Sequence, residues 1–178
     1  MNRDIKEILL SEEQISKKVK EIGAKISEDY KGKELLIVVI LKGSVIFASD
    51  LLRAITIPVN IDFIAVSSYG NGTTSGEVKI IKDLSVSIKG KNVLIIEDIL
   101  DSGKTLSNLM EVLTTRNPES LEICTLLNKP DRREAEVDVR YSGYDIPDEF
   151  VVGYGLDYAE SYRNLPYIGV LKREIYEK

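Results

Sequence analysis

The sequence contains no histidine among its 178 residues and only one cysteine, Cys124. Without histidine the chain cannot build zinc sites from Cys and His ligands, or a catalytic triad with an imidazole base. Acid–base chemistry must rely on carboxylates, lysine or tyrosine, and a bound metal would need hard oxygen ligands, which favour Mg²⁺. Cys124 lies in the apolar run 123–127, where a thiol is core filler more often than a nucleophile, and a lone cysteine excludes an internal disulfide.

Long apolar runs and an excess of basic charge are also missing. No apolar run approaches the roughly 18 residues that span a bilayer, and residues 1–7 lack the pattern of a signal peptide, so we expect a cytoplasmic protein without a membrane partner. The net charge of −5 argues against broad nucleic-acid binding, which usually requires a basic face. With 43% hydrophobic and 30% charged residues, the chain is expected to form a single domain over residues 1–178.

Short apolar runs alternate with amphipathic segments along the chain. Ser11 and Gln14 fit a capping box, and the apolar spacing after them predicts a helix to about residue 30. Further helices are predicted at 45–54 and 106–116, and strands at 35–41, 59–67, 78–81, 93–96, 121–127, 137–141, 150–154 and 167–171, the last of which should close the sheet. This alternation predicts an α/β fold, a doubly wound, mostly parallel sheet flanked by helices, with ligands at the carboxyl ends of the strands.

The stretch 93–106 combines a strand with a phosphate-binding turn. Four apolar residues predict a strand buried on both faces, and Glu97 and Asp98 follow where that strand would leave the sheet. Asp101 then opens a Ser-Gly-Lys-Thr turn before a helix, so that backbone N–H groups would point at an anion. A P-loop is unlikely because position 98 is not glycine, and no dinucleotide fingerprint follows any strand. Spacing alone leaves open that Glu97 and Asp98 are ordinary helix caps and that Asp101 only supports the turn.

The segment 67–76 is a long run of small polar residues with three glycines. Its composition is compatible with a plain hairpin loop. It is also compatible with a lid, because long glycine-rich loops inside compact domains often cover active sites. Both interpretations stay open at this point.

As a whole, the stretch 93–106 resembles the phosphoribosyl-pyrophosphate signature of the type I phosphoribosyltransferases. The matching pattern is four apolar residues, Glu-Asp, two apolar residues, and then Asp-Ser-Gly-Lys-Thr-Leu. Other segments resemble the members of that family that act on 6-oxopurines, and these are Leu41-Lys42-Gly43, Ser68-Tyr69, Lys129-Pro130, the run 148–157 and Arg163. The resemblance covers about residues 35–171. It implies the family's fold with a small hood, a flexible lid loop at about 68–77, and a homodimer or homotetramer.

The resemblance also implies an activity. A 6-oxopurine, hypoxanthine or guanine, would attack the anomeric carbon of phosphoribosyl pyrophosphate, giving IMP or GMP plus pyrophosphate, with Mg²⁺ as the cofactor. Neither nucleic acid nor a membrane is an expected partner. Two rival classes are a regulator of the same fold that binds nucleic acid, and a flavodoxin-like receiver or other binding module that uses the acidic pair for Mg²⁺.

By position, the resemblance implies roles for the phosphoribosyl pyrophosphate side of the site. Glu97 and Asp98 would accept hydrogen bonds from the two ribose hydroxyls, a task for charged acceptors at fixed spacing. Asp101 would be the catalytic residue that exchanges a proton with purine N7. The 5′-phosphate would be bound by Asp101, Ser102, Gly103, Lys104 and Thr105, and the pyrophosphate by Leu41, Lys42, Gly43 and Arg163.

The resemblance implies further roles on the base side. Lys129 would donate to the 6-oxo group, and because an ammonium only donates, it would favour oxo over amino purines. Phe150 would stack on the base, the Val151 backbone would meet its edge, and Asp157 would lie near the base and Mg²⁺. The implied metal ligands are Glu97, Asp98 and Asp157, and the implied lid residues are Ser68 and Tyr69. Without the resemblance, Lys129 could equally be a surface lysine and Phe150 a core residue.

Overall fold

The computed structural model describes residues 3–68 and 78–177. The strands are β1 (Ile5–Leu10), β2 (Leu35–Leu41), β3 (Asn60–Ser68), β4 (Val78–Lys82), β5 (Asn92–Leu100), β6 (Ser120–Asn128), β7 (Tyr141–Asp145), β8 (Val151–Val152) and β9 (Ile168–Leu171). The helices are α1 (Glu12–Asp29), α2 (Val45–Ala54), α3 (Lys104–Thr114) and α4 (Arg173–Tyr176), with a 3₁₀ turn at Pro130–Arg132. Within the described ranges, no helix is long and apolar enough to cross a membrane.

Six strands form the main sheet in the order β4-β3-β2-β5-β6-β7. The pairings β3–β2, β2–β5, β5–β6 and β6–β7 are parallel, and β4 pairs with β3 in the antiparallel sense. Parallel register places Leu100 opposite Asn128 and Asn128 opposite Asp145, so the carboxyl ends of β5, β6 and β7 meet at one edge. This arrangement confirms the predicted α/β fold, and its carboxyl edge is where ligands bind in such sheets.

Helices cover both faces of the main sheet, as a doubly wound fold requires. Alternate side chains of the fully apolar β2 point to opposite faces, so Ile37 and Val39 join the core under α1 and α2. Leu36 and Val38 join the core under α3. Because β2 and β5 are buried on both faces, their continuous apolar runs rather than alternation were the correct strand signal.

Three strands lie outside the main sheet, and two predictions about them were wrong. We expected the strand at 167–171 to close the main sheet, and this was wrong, because β9 pairs in the antiparallel sense with β1 and β8 in a separate hood sheet. The sequence pattern also missed β1, where only Ile5 and Leu10 are buried and two of the three exposed residues between them carry charge. In the segment predicted as 150–154, only Val151–Val152 forms a strand, since Gly153 has φ +98°.

Two further predicted bounds were wrong near the site. The strand predicted at 93–96 continues to Leu100, so Glu97 and Asp98 lie within β5 rather than beyond it, and Glu97 is paired in register with Thr125. The strand predicted at 137–141 instead occupies Tyr141–Asp145. The β-branched side chains that suggested it, Val137 and Val139, pack against the core under α3 without forming a strand.

Candidate active site

The acidic pair near the carboxyl end of β5 is held by a residue from another strand–helix turn. Glu97 Oε1 accepts hydrogen bonds from Ser44 Oγ at 2.9 Å and from the Asp98 N–H at 3.0 Å, and Ser44 is fully buried. Burial raises the pKa of the Glu97 carboxyl well above its usual range, and the neighbouring Asp98 charge raises it further. Burial also raises the pKa of the Asp98 carboxyl. Two carboxylates in this setting favour hydrogen-bond donors or a cation beside them.

The turn after β2 lies directly against the acidic pair. Its peptide bond between Leu41 and Lys42 is cis. A Cβ atom at Gly43 would overlap Asp98 Oδ2, so glycine is required where the turn approaches the carboxylate. Lys42 Nζ lies 3.1 Å from Glu160 Oε2 and is largely exposed. The structure therefore brings Leu41, Lys42 and Gly43 to the same edge as the acidic pair.

The hood segment that follows β8 covers this turn. Gly155 has φ +102°, and a Cβ atom there would overlap the Gly43 carbonyl oxygen. Arg163 Nη1 donates to the Gly155 carbonyl at 2.8 Å, and its Nη2 lies 2.9 Å from Asp157 Oδ1. Arg163 Nε is buried without a hydrogen-bond partner in the part of the chain that the structure describes. Arg163 and Asp157 thus lie next to each other in the hood segment that covers this turn.

The predicted phosphate-binding turn leads into α3. Gly103 precedes the helix with φ +80°, and a Cβ atom there would lie 2.8 Å from the Ala135 carbonyl oxygen. The N–H groups of Glu134 and Ala135 donate to the Ser102 carbonyl at 2.9 and 3.0 Å, and Lys104 forms an ion pair with Glu134. The helix begins at Lys104, two residues before its predicted start, so the turn supplies the helix's free N–H groups.

Four charged side chains meet on the base side of the predicted site. Lys129 is only 7% exposed, and its Nζ lies 4.0 Å from Asp101 Oδ2 and 4.0 Å from Asp148 Oδ1. Arg132 Nε lies 3.2 Å from Asp101 Oδ1, and its Nη1 lies 3.5 Å from Asp148 Oδ1. The Arg132 contact lacks hydrogen-bond alignment, so Asp101 Oδ1 is a buried acceptor without a hydrogen bond from any described residue. Burial of Lys129 excludes the alternative of an ordinary surface lysine.

The two residues expected to contact the base itself lie at β8. Val151 is buried and pairs with Val170 of β9. Phe150 is 37% exposed, so it is not the core residue that its type suggests. The backbone of Ser68 ends β3, and Tyr69 with the rest of the predicted lid to residue 77 lies outside the described residues.

Sequence reasoning missed five residues that contact the site residues. Their side chains contact the carboxylates, the backbone or the cations of the predicted site, and they are Ser44, Arg132, Arg133, Asp148 and Glu160. Arg133, for example, donates from Nε to the Asp101 carbonyl at 3.2 Å and also contacts Asn128 Oδ1. The charge cluster at 131–134, directly after Lys129, was the available signal for the two arginines.

The carboxylates offer hard oxygen ligands but do not form a complete metal site by themselves. Among the described residues, no group of three or more His, Cys, Asp or Glu side chains could hold a metal ion. Glu97 and Asp98 lie together, whereas Asp157 is paired with Arg163. This fits Mg²⁺, which is usually bound through one or two carboxylates with substrate phosphates and waters completing the shell.

Comparisons with known proteins identify the family. The model of the phosphoribosyl transferase domain family matches residues 6–159. The chain is 59% identical over 179 aligned residues to hypoxanthine-guanine phosphoribosyltransferase of Staphylococcus epidermidis, covering 100% of both proteins. A crystal structure of a hypoxanthine phosphoribosyltransferase from Staphylococcus aureus matches with a TM-score of 0.95 and 58% identity, covering 98% of this chain and 96% of that one. A hypoxanthine-guanine phosphoribosyltransferase from Bacillus anthracis matches with a TM-score of 0.89 and 49% identity, covering 94% and 99%. The chain therefore belongs to the type I phosphoribosyltransferase family, among its hypoxanthine-guanine phosphoribosyltransferases.

Proposed function

We propose that this chain is a purine salvage enzyme that transfers the phosphoribosyl group of phosphoribosyl pyrophosphate to hypoxanthine or guanine. The products are IMP or GMP and pyrophosphate. The observation that carries this proposal is the Asp101 carboxylate, whose Oδ1 accepts no hydrogen bond from a described residue and whose Oδ2 lies 4.0 Å from the buried ammonium of Lys129, next to the predicted anion-binding turn. A 6-oxopurine needs both a donor for its oxygen and an acceptor for a ring proton, and the site offers both within one cluster.

The ribose and its 5′-phosphate would be bound by the segment from β5 to α3. Glu97 and Asp98 accept hydrogen bonds from the ribose hydroxyls, and these donors favour the ionised carboxylates that burial disfavours. The N–H groups of residues 103–105 at the start of α3, with the side chains of Ser102 and Thr105, bind the phosphate. Because residues 134 and 135 already brace this turn, little ordering is required when the phosphate binds.

The leaving pyrophosphate would be bound by two cations on the hood side. Lys42 is paired with Glu160, and Arg163 is paired with Asp157. Pyrophosphate would replace these carboxylates as the partner of the two cations, since it carries more negative charge at closer spacing. Mg²⁺ would be held by Glu97, Asp98 and Asp157 together with substrate oxygens, and when bound it neutralises charge on the leaving group.

The base would be placed by Lys129, Val151 and Phe150. Lys129 donates to the 6-oxo group, the Val151 backbone meets the edge of the ring, and the exposed part of Phe150 stacks on its face. The Asp101 carboxylate then accepts the N7 proton of the purine as the bond to the ribose carbon forms. Acid–base catalysis by a positioned group contributes about 10²–10⁴-fold to the rate.

A regulator of the same fold that binds nucleic acid is the alternative, and the charges disfavour it. The chain carries a net charge of −5, and the site cations Lys129, Arg132 and Arg163 are paired with carboxylates rather than exposed on a basic face.

The proposal is tested by a spectrophotometric assay with phosphoribosyl pyrophosphate, Mg²⁺ and a panel of purine bases. Asp101→Asn should lower kcat by about 10²–10⁴-fold while changing the affinity for phosphoribosyl pyrophosphate much less. Asp131→Asn is the matched control, because this aspartate is exposed in the neighbouring charge cluster. Absence of nucleotide from hypoxanthine and guanine would reject the function, and adenine as the best substrate would reject the role of Lys129.

We also infer that the chain forms a homodimer or homotetramer. Val45 and Ile46 at the start of α2 are 40% and 38% exposed, and Ile46 lines a cavity of about 550 Å³ between α1, α2 and residues 163–166. Exposed apolar side chains beside a cavity are typical of a subunit contact. Ile46→Glu should shift the mass measured by light scattering toward the monomer, and an unchanged mass would exclude this surface.

A further inference from the structure

Three aromatic rings meet beside the predicted base site, and only one of them has a role in the proposed function. The Phe150 and Tyr176 rings stack with their centroids 4.8 Å apart and their planes at 24°. Tyr158 meets Phe150 edge-on at 5.7 Å and 88°, and it lies 6.5 Å from Tyr176. Stacked and edge-on pairs at these distances are favourable geometries for aromatic side chains.

The helix that carries Tyr176 is fixed to the hood sheet by its backbone. The N–H of Lys172, which precedes α4, donates to the Asp4 carbonyl at 3.0 Å. The N–H of Leu171 donates to the Phe150 carbonyl at 2.8 Å, so the strand before α4 is bonded to the residue whose ring Tyr176 covers. Ile175 and Tyr176 also pack against the buried hood cluster of Ile5, Val152 and Leu171. The Tyr176 ring is therefore held at a defined place relative to Phe150.

The remaining surface of Phe150 is available to a ligand. Although two tyrosines pack against it, 37% of the residue stays exposed. A phenylalanine on the surface would lose rotamer freedom when a base stacks on it, and that loss weakens binding. A ring that is already fixed by its neighbours has less freedom left to lose.

We propose that the C-terminal helix α4 belongs to the base-binding machinery and that Tyr176 is a positioning residue for Phe150. By stacking on Phe150, Tyr176 holds the ring in the orientation that receives the purine. Tyr158 extends this support to the segment that carries Asp157. This inference rests on the proposed function, because it takes Phe150 as the residue that stacks on the purine.

The test separates base binding from the other steps. Tyr176→Ala should raise KM for hypoxanthine by about 3- to 10-fold, the range expected for loss of one aromatic pair. KM for phosphoribosyl pyrophosphate and kcat should stay within about twofold of wild type. Tyr176→Phe keeps the ring and should restore KM for hypoxanthine. Glu174→Ala, on the exposed side of the same helix, is the matched control and should change none of these constants.

Each other result would overturn the inference. An unchanged KM in Tyr176→Ala, or a Tyr176→Phe variant as impaired as Tyr176→Ala, would exclude positioning by the ring. A lower KM for hypoxanthine would show that Tyr176 competes with the base. If the wild type itself fails to convert hypoxanthine, the proposed function fails, and the inference that rests on it fails with it.

A binding measurement decides the matter if Tyr176→Ala does not fold. The chain contains no tryptophan, so Tyr176→Trp introduces a single indole ring beside Phe150, and its emission can be excited separately from that of the tyrosines. Titration with GMP, which carries the base without turnover, should change its emission, whereas inorganic phosphate should not. An emission that GMP leaves unchanged would contradict the placement of this helix beside the base.

Discussion

Gly43→Ala tests whether the turn after β2 and the acidic pair share the site as closely as the structure shows. The new Cβ would overlap Asp98 Oδ2 and lie 3.0 Å from Asp98 Cγ, whereas ordinary contacts begin at 3.4 Å. Gly43 is not among the residues with positive φ, so alanine is not strained by its backbone conformation. The whole effect must therefore come from the space between the turn and the carboxylate.

The size of the effect follows from how this overlap can be relieved. Either the Asp98 carboxylate moves from the predicted ribose position, or the turn moves from the predicted pyrophosphate position, and both changes weaken binding of phosphoribosyl pyrophosphate. Overpacking of this kind costs about 1–3 kcal/mol, which corresponds to a rise in the Kd for phosphoribosyl pyrophosphate of roughly 5- to 150-fold. Isothermal titration at fixed Mg²⁺ measures this Kd directly.

Two control variants separate crowding from general damage. Gly90→Ala places a methyl group at φ +71° where, apart from its chain neighbours, no described residue has an atom within 4 Å, so it should lower Tm without changing the Kd. In an Asp98→Ala background the overlapping oxygen is gone, so Gly43→Ala should add little further weakening. A Kd for Gly43→Ala within twofold of wild type, or fully additive effects in the double variant, would refute the reasoning.

Three other results are expected. Asp62→Ala should lower the free energy of unfolding by about 2–3 kcal/mol at neutral pH, because the buried carboxylate accepts hydrogen bonds from the N–H groups of Phe63, Ser85 and Val86. Burial raises the pKa of Asp62, but these hydrogen bonds outweigh burial and lower the pKa below 3.8. The difference in unfolding free energy between Asp62→Ala and wild type, measured by denaturant titration, should therefore persist above that pH and vanish as the pH falls through the lowered pKa. Cys124 is fully buried and burial raises its thiol pKa, so a thiol reagent should label it only after unfolding, and rapid labelling of the native protein would contradict that burial. Chelation of Mg²⁺ should abolish turnover reversibly and leave the circular dichroism spectrum unchanged, since the described residues contain no cluster that could hold a structural metal; a loss of helix signal would contradict this.

Local patterns predicted the central elements with accurate bounds. The strand over Leu35–Leu41 and the helix over Val45–Ala54 both lie where the sequence placed them, and both bonds of the capping box at Ser11 and Gln14 are present. In each case the signal depends on neighbouring residues alone, either a continuous apolar run or a pair of side chains three positions apart.

Sequence patterns failed to predict the structure where a strand is determined by its pairing with residues far away in the sequence. The strands β1 and β9 lie at opposite ends of the chain and form one sheet only because each pairs with the other. Neither segment shows in its own sequence which sheet it joins, and the short β1 has too few buried residues to show a period. Glu97 was placed beyond its strand because a charged residue ended the apolar run, yet its backbone continues to pair with β6.

The sequence by itself determined the family and the set of chemical groups at the predicted site, because the stretch 93–106 combines its strand, acidic pair and phosphate turn within fourteen consecutive residues. Only the tertiary structure decided which distant groups meet those residues. Ser44 donates to Glu97 across 53 positions, Gly43 leaves room for Asp98, and Tyr176 stacks on Phe150. Such contacts depend on how the packed sheets and turns share space, and the periodicity of a single segment does not encode that geometry.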